Sequence, residues 1–239
     1  MNAHHPKLAV CILFLAGACG THIDTVTARG DAEEHGRALF RDPAASPSQS
    51  NTFSCATCHP SDDGTTRIFA GASLGGAVGR SSLWGGQEND LLRSINDCRA
   101  YFMDAASPWT ADDEDAKAIY AYLLALEPKS TAPAAFTRVI AIADVPRGDA
   151  AIGASVFRET CQSCHGSLHD GAGKLATFVP SLPDDTATSH ASLGAAAVRL
   201  VFIEKIRHGA FVSTGSMPPF SREVLSDADV GNLLAYLGQ

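Results

Sequence analysis

The chain is short of aromatic residues, of methionine, of positive charge and of long apolar runs, and each shortage removes something. Phe, Trp and Tyr make up 7% of 239 residues, so cores of ordinary size need apolar area from another source. Lys and Arg number 18 against 26 Asp and Glu, a formal charge of −8, which argues against nucleic acid as a partner. The apolar run from Leu8 to Ala18 is too short to span a bilayer as a stable helix. No alternation of apolar and polar residues is sustained, which excludes a protein built on sheets. No signalling module is visible.

Cysteine is what the chain has. There are seven. Cys11 lies in the apolar run that follows Lys7, and small residues Ala16-Gly17-Ala18 lead to Cys19. Charge, apolar run and small residues together read as an export signal over residues 1–19. Leu15-Ala16-Gly17-Ala18-Cys19 resembles a bacterial lipobox with its branched residue one place early, so both lipidation of Cys19 and plain cleavage and release stay open.

Four further cysteines fall in two copies of one pattern, Cys55-Ala56-Thr57-Cys58-His59 and Cys161-Gln162-Ser163-Cys164-His165. Two thiols at this spacing can add to the two vinyl groups on one porphyrin edge, and the histidine that follows is then held against one face of the iron. The reading is two covalently attached haem c groups, bound by Cys55, Cys58, Cys161 and Cys164, with His59 and His165 as proximal iron ligands. A porphyrin also supplies the flat apolar area that the aromatic content lacks. A tetrathiolate zinc site would explain neither the histidines nor the recurring pattern downstream.

That pattern is a methionine followed by an apolar helix: Met103 before Ala121-Tyr122-Leu123, and Met217 before Ala235-Tyr236-Leu237. A single offset of 114 residues superposes both pairs without a gap, which reads as a tandem duplication. Gly36-Arg37-Ala38-Leu39-Phe40 is matched by Gly153-Ala154-Ser155-Val156-Phe157. Phe157 lies four residues before Cys161, Phe40 fifteen before Cys55, and the Pro- and Ser-rich stretch 41–54 that makes the difference predicts a surface loop. Helical periodicity runs over 32–40, 88–103, 112–126, 193–208 and 227–237. The run Asp112-Asp113-Glu114-Asp115 marks a helix start, with Thr110 as its cap. Composition divides the chain into the signal, a tether over 20–31, a first domain over 32–128, a linker over 129–146 rich in Pro, and a second domain over 147–239.

These residues resemble class I cytochrome c domains in tandem, which implies an all-α fold with each domain wrapped around one haem. The resemblance implies that the first helix crosses the last at an aromatic contact, Phe40 with Tyr122 and Phe157 with Tyr236. It implies Met217, before Pro218-Pro219-Phe220, as the distal ligand of the second haem, and the Pro180 carbonyl as the acceptor that orients His165. Attachment of c-type haem outside the bacterial cytoplasm agrees with export to the periplasm. Electron carriage between redox proteins, basic-faced ones included, is the function implied.

The distal ligand of the first haem has two candidates, Cys98 and Met103. On a regular helix they stand roughly 140° apart, so both cannot face one iron. The duplication favours Met103. Ile95-Asn96-Asp97-Cys98 and Ser81-Ser82-Leu83-Trp84-Gly85 resemble segments of thiosulfate dehydrogenases and related sulfur-oxidising cytochromes, which implies Cys98 as ligand and as the catalytic residue of an enzyme acting on a small sulfur compound. In that family an arginine stands four residues before the cysteine. Here Arg93 stands five before, and only Arg80 is near the Trp84 segment. An anionic substrate needs such guanidinium partners.

Overall fold

The computed structural model describes residues 20–48, 50–61, 66–127, 129–212 and 215–239. The expected signal, with Cys11 and Cys19, lies outside them, as does Pro128. Among the described residues the regular structure is helical apart from one short hairpin, as periodicity predicted. Among the described residues no helix is long and apolar enough to cross a membrane.

The first half is built on α1 (Gly20–Arg41), α2 (Cys55–Cys58), α3 (Leu91–Phe102) and α4 (Glu114–Ala125). Helix α1 takes in the stretch 20–31 expected to be a tether. It contains no proline, and extending an existing helix costs far less than nucleating one. Its core-facing end crosses α4 at Gly36, where a Cβ would lie 1.9 Å from the carbonyl oxygen of Ala118. Backbone touches backbone there, and one turn on the rings of Phe40 and Tyr122 meet at 5.1 Å. Around them Ile119, Leu123 and Leu126 close a buried core. Helix α4 starts after Asp113, which is its N-cap. Thr110 does not cap the helix: its N–H and hydroxyl both donate to the Asp113 carboxylate.

The second half repeats the crossing. Helix α5 (Ala150–Val156) meets the terminal helix, and at Gly153 a Cβ would lie 2.0 Å from the Asn232 carbonyl oxygen. Asn232 stands 114 residues after Ala118, the offset of the duplicated pattern. Phe157 and Tyr236 meet at 5.6 Å. From α5 the chain runs through a π-helical turn over Phe157–Cys161 into α6 (Gln162–His165), followed by α7 (Asp184–Ser189) and α8 (Ala195–His208). A short hairpin, β1 (Ala210–Val212) against β2 (Gly215–Met217), then pairs Ala210 with Met217 before α9 (Asp227–Tyr236). Strands of three residues are too short to leave an alternation in the sequence. Phe202, Ile203, Val230, Leu233 and Leu234 form the centre of this half's core.

The two halves are joined by more than the linker. Residues 129–146 contain no helix and are stapled on both sides. Arg80 Nε donates to the Ser130 carbonyl, and His208 donates to that of Val139 at 2.7 Å. Arg199, 3% exposed, holds Asp144 at 2.7 Å and the Val145 carbonyl at 3.0 Å. A third apolar cluster, Ala45, Phe53 and Met103, lies at a seam where Cys164 and Leu175 of the second half pack against it. The stretch 41–54 is therefore no simple surface loop. Asp42 caps a turn over Pro43–Ala45, the Asn51 amide donates to the carbonyls of Pro43 and Phe53, and these polar ties hold Ala45 and Phe53 inward. Aromatic contact continues the seam, with Phe102 of α3 5.6 Å from Phe211 of β1.

Candidate functional site

Each Cys-x-x-Cys-His segment is a single helical turn, and each presents its histidine in the same way. In α6, His165 is 8% exposed, and its Nδ1–H donates to the Pro180 carbonyl at 2.9 Å, the contact implied by the Val179-Pro180 segment. In α2, the His59 Nδ1–H donates to the Ala72 carbonyl at 2.8 Å. A carbonyl can only accept, so the proton sits on Nδ1 and the lone pair on Nε2 faces away as a metal donor. Ala72 had no sequence signal, because a backbone acceptor carries no side-chain identity.

Local structure fixes both turns. Ser54 and Thr57 form a capping box at the start of α2, and the His59 N–H bonds the Cys55 carbonyl at 2.9 Å. The following loop returns at Gly71, whose N–H bonds the Cys58 carbonyl at 2.8 Å. A Cβ on Gly71 would fall 2.4 Å from two atoms of the His59 ring, so only glycine lets the loop pass so close. Burial lowers the affinity of both imidazoles for a second proton, which keeps them neutral and able to bind a metal.

The thiols lie in apolar surroundings. Burial pushes Cys55 up to about 11 and Cys58 and Cys161 up to about 12. Among the described residues no three His, Cys, Asp or Glu side chains converge into a group able to hold an ion by themselves, so a tetrathiolate cluster has no site there. What the donor set fits is a group that brings its own equatorial ligands: two thiols on one turn, a neutral imidazole with its outer nitrogen free, and apolar walls. Haem c is such a group.

The two distal candidates of the first half have different surroundings. Helix α3 ends at Phe102, and Met103 is its C-cap. Met103 is 3% exposed and packs in the seam with Ala45 and Phe53. Cys98 is half-buried on α3, its thiol pushed up by burial first and then by the Cys55 and Cys58 thiols, so it lies within electrostatic reach of the first haem motif. Helix α3 is braced by Asn96, whose amide donates to the Trp109 carbonyl at 2.9 Å while its oxygen accepts the Trp109 N–H at 2.8 Å. Arg99 packs over the Trp109 ring at 3.8 Å. Trp84 stacks on Phe102 at 6.3 Å, which ties the Ser81–Gly85 segment to the same helix.

Arg93 and Arg80 are committed elsewhere. Arg93 is exposed and pairs with Glu88 at 3.1 Å. Arg80 donates to the carbonyls of Ser73 and Gly75 at 2.8 and 3.0 Å. In the second half Met217 closes β2, half-buried against the core. Gly209, at φ +75°, lies beneath it, where a Cβ would come 2.4 Å from the Met217 carbonyl oxygen.

Residues 148–237 match the family model described as cytochrome C oxidase, cbb3-type, subunit III. The chain is similar to the solved structure of thiosulfate dehydrogenase (TsdBA) from Marichromatium purpuratum in its as-isolated form, with 18% identity and a TM-score of 0.43, covering 87% of this chain and 46% of that one. It thus spans less than half the length of that protein. No curated protein matches the chain. Residues 148–237 carry a c-type cytochrome domain, a kind of domain that binds haem c covalently and exchanges electrons with redox proteins.

Proposed function

We propose that the protein is an exported dihaem c-type cytochrome that carries single electrons between redox proteins, with one haem domain over 32–128 and a second over 147–239. The observation that carries this reading is the repetition, in the half outside the matched residues 148–237, of the whole supporting frame: glycine-centred helix crossing, aromatic pair, attachment turn, and histidine with Nδ1–H held by a carbonyl. Haem supplies the one-electron chemistry. The chain's own residues position it: Cys55, Cys58, Cys161 and Cys164 as attachment points, His59 and His165 as proximal ligands, and Met217 as the distal ligand of the second haem.

For the first haem we assign Cys98 as the distal ligand. Its thiol lies within electrostatic reach of the Cys55 and Cys58 thiols, whereas Met103 would have to leave a packed cluster. The same cysteine is the observation that favours a second reading, a thiosulfate dehydrogenase-like oxidoreductase in which Cys98 is catalytic. Electron carriage ranks first because Arg93 and Arg80, the guanidinium groups such a substrate would require, are bound to other partners.

Export to the periplasm accords with haem attachment outside the cytoplasm. Cys19 is the proposed lipid site, with release after cleavage as the other outcome, and intact mass separates the two. The function is tested on denatured protein, because thioether bonds survive unfolding and axial bonds do not. Pyridine haemochrome and intact mass are expected to give two haems per chain; one haem would overturn the reading.

A further inference from the structure

After the first attachment turn the chain does not stay with its own half. Residues 66–70 cross to the second: the Ile68 N–H donates to the Glu159 carbonyl at 2.9 Å, and Ile68 and Ala70 pack against the second core. Just before them Arg67, half-buried over the Phe69 ring at 4.7 Å, reaches both haem motifs. Its Nη2 donates to the Ser163 hydroxyl at 2.9 Å and to the Thr57 carbonyl at 3.4 Å.

Those two partners are equivalent residues. Thr57 immediately precedes Cys58 and Ser163 immediately precedes Cys164, each the third residue of its own five-residue motif, so one guanidinium ties the same point of both attachment turns. The two cysteines that follow are accordingly neighbours. After burial, the Cys164 thiol is the next cause raising Cys58, and Arg67 acts on both in the opposite direction. On the seam, Cys164 packs against the cluster of Ala45, Phe53 and Met103.

We propose that Arg67 is the positioning residue for electron exchange between the two haems: it clamps both attachment turns so that their thioether edges adjoin, and it supplies one positive charge common to both sites. This rests on the dihaem reading above. The exchange moves one electron, oxidising one iron as it reduces the other, with no proton or atom transferred. A planar guanidinium can hold a hydroxyl and a carbonyl together in a fixed fork, whereas an ammonium keeps the charge without that geometry.

The test uses the loaded full chain, unsubstituted and as Arg67→Gln and Arg67→Lys, with haem counted in each by pyridine haemochrome. Two readouts follow: the midpoint potential of each haem, and the bisignate Soret circular-dichroism couplet that two adjoining haems of fixed orientation produce. Arg67→Gln is expected to lower both potentials, since both reduced states lose the same cation, and to weaken the couplet by half or more. Arg67→Lys is expected to restore the potentials while the couplet stays weak. A shift in one potential only, or an undiminished couplet in Arg67→Gln, overturns the proposal. If Arg67→Gln does not fold, Ser163→Ala, which removes the 2.9 Å acceptor, is expected to weaken the couplet with both potentials kept, and an unchanged couplet there also overturns it. One haem in the unsubstituted protein refutes the dihaem reading itself, and two haems without any couplet refute only the clamp.

Discussion

Replacing Gly36 by alanine tests the helix crossing on which the first site is hung. The added Cβ would sit 1.9 Å from the Ala118 carbonyl oxygen, 2.5 Å from its carbon and 2.9 Å from the Tyr122 Cβ. Two of those atoms are backbone and cannot rotate away. Recovering an ordinary contact requires α1 and α4 to part by about 1.5 Å, and a gap of about 1 Å already forfeits up to half of the dispersion attraction across a packed face. Phe40, Ile119, Tyr122 and Leu123 share that face. Overpacking of this kind costs about 3 kcal/mol at the upper end of its usual range, and the better helix propensity of alanine returns about 1 kcal/mol. The net loss is about 2 kcal/mol, which for a chain of this size lowers the melting temperature by about 4–8 °C. Gly30, in the same helix, is the control: a Cβ there meets nothing within 4 Å, so Gly30→Ala keeps only the propensity gain. Thermal unfolding of the loaded protein, followed by far-UV circular dichroism, gives both numbers. A Gly36→Ala protein as stable as Gly30→Ala would refute the crossing as described.

Met217→Ala is expected to lower the potential of the second haem and open its iron to carbon monoxide, because the thioether favours the reduced state; unchanged carbon monoxide binding would make Met217 a packing residue. Cys98→Ala is expected to raise the potential of the first haem and remove its near-infrared thiolate band, whereas Met103→Ala should leave that spectrum alone and cost about 2–4 kcal/mol as a cavity in the seam. The opposite pair of spectra would assign the ligand to Met103. The Glu223 carboxyl is held down to about 2, against an ordinary 4.5, by the hydroxyl and N–H of Thr137. A lowered carboxylate contributes stability above its unfolded value and loses it as pH falls through the folded one, so that linker tie should weaken between pH 4.5 and about 2. Thr137→Val should flatten acid unfolding across that window, and an unaltered acid profile would remove the tie from the account.

What the amino-acid sequence determined by itself is what depends on short spacing or on period. The attachment turns need only thiols three apart and a histidine next to them, and α3, α4, α8 and α9 follow from apolar periodicity. The aromatic pairs were legible through the resemblance to tandem cytochrome c domains, and the two crossings do meet at the same kinds of ring. Tertiary structure decided what depends on loops. The stretch 41–54 has the composition of a surface loop, yet Asn51 and Asp42 fold it so that Ala45 and Phe53 bury Met103. Ala72 reaches His59 through a backbone oxygen, which any residue could have supplied. Arg67 has no periodic neighbours and meets Ser163 across 96 residues of chain, so nothing local points to it. A repeat aligned residue by residue sets Met103 against Met217, but side-chain surroundings do not follow from alignment: Met217 ends a strand facing its own half, and Met103 caps a helix at the seam between the two.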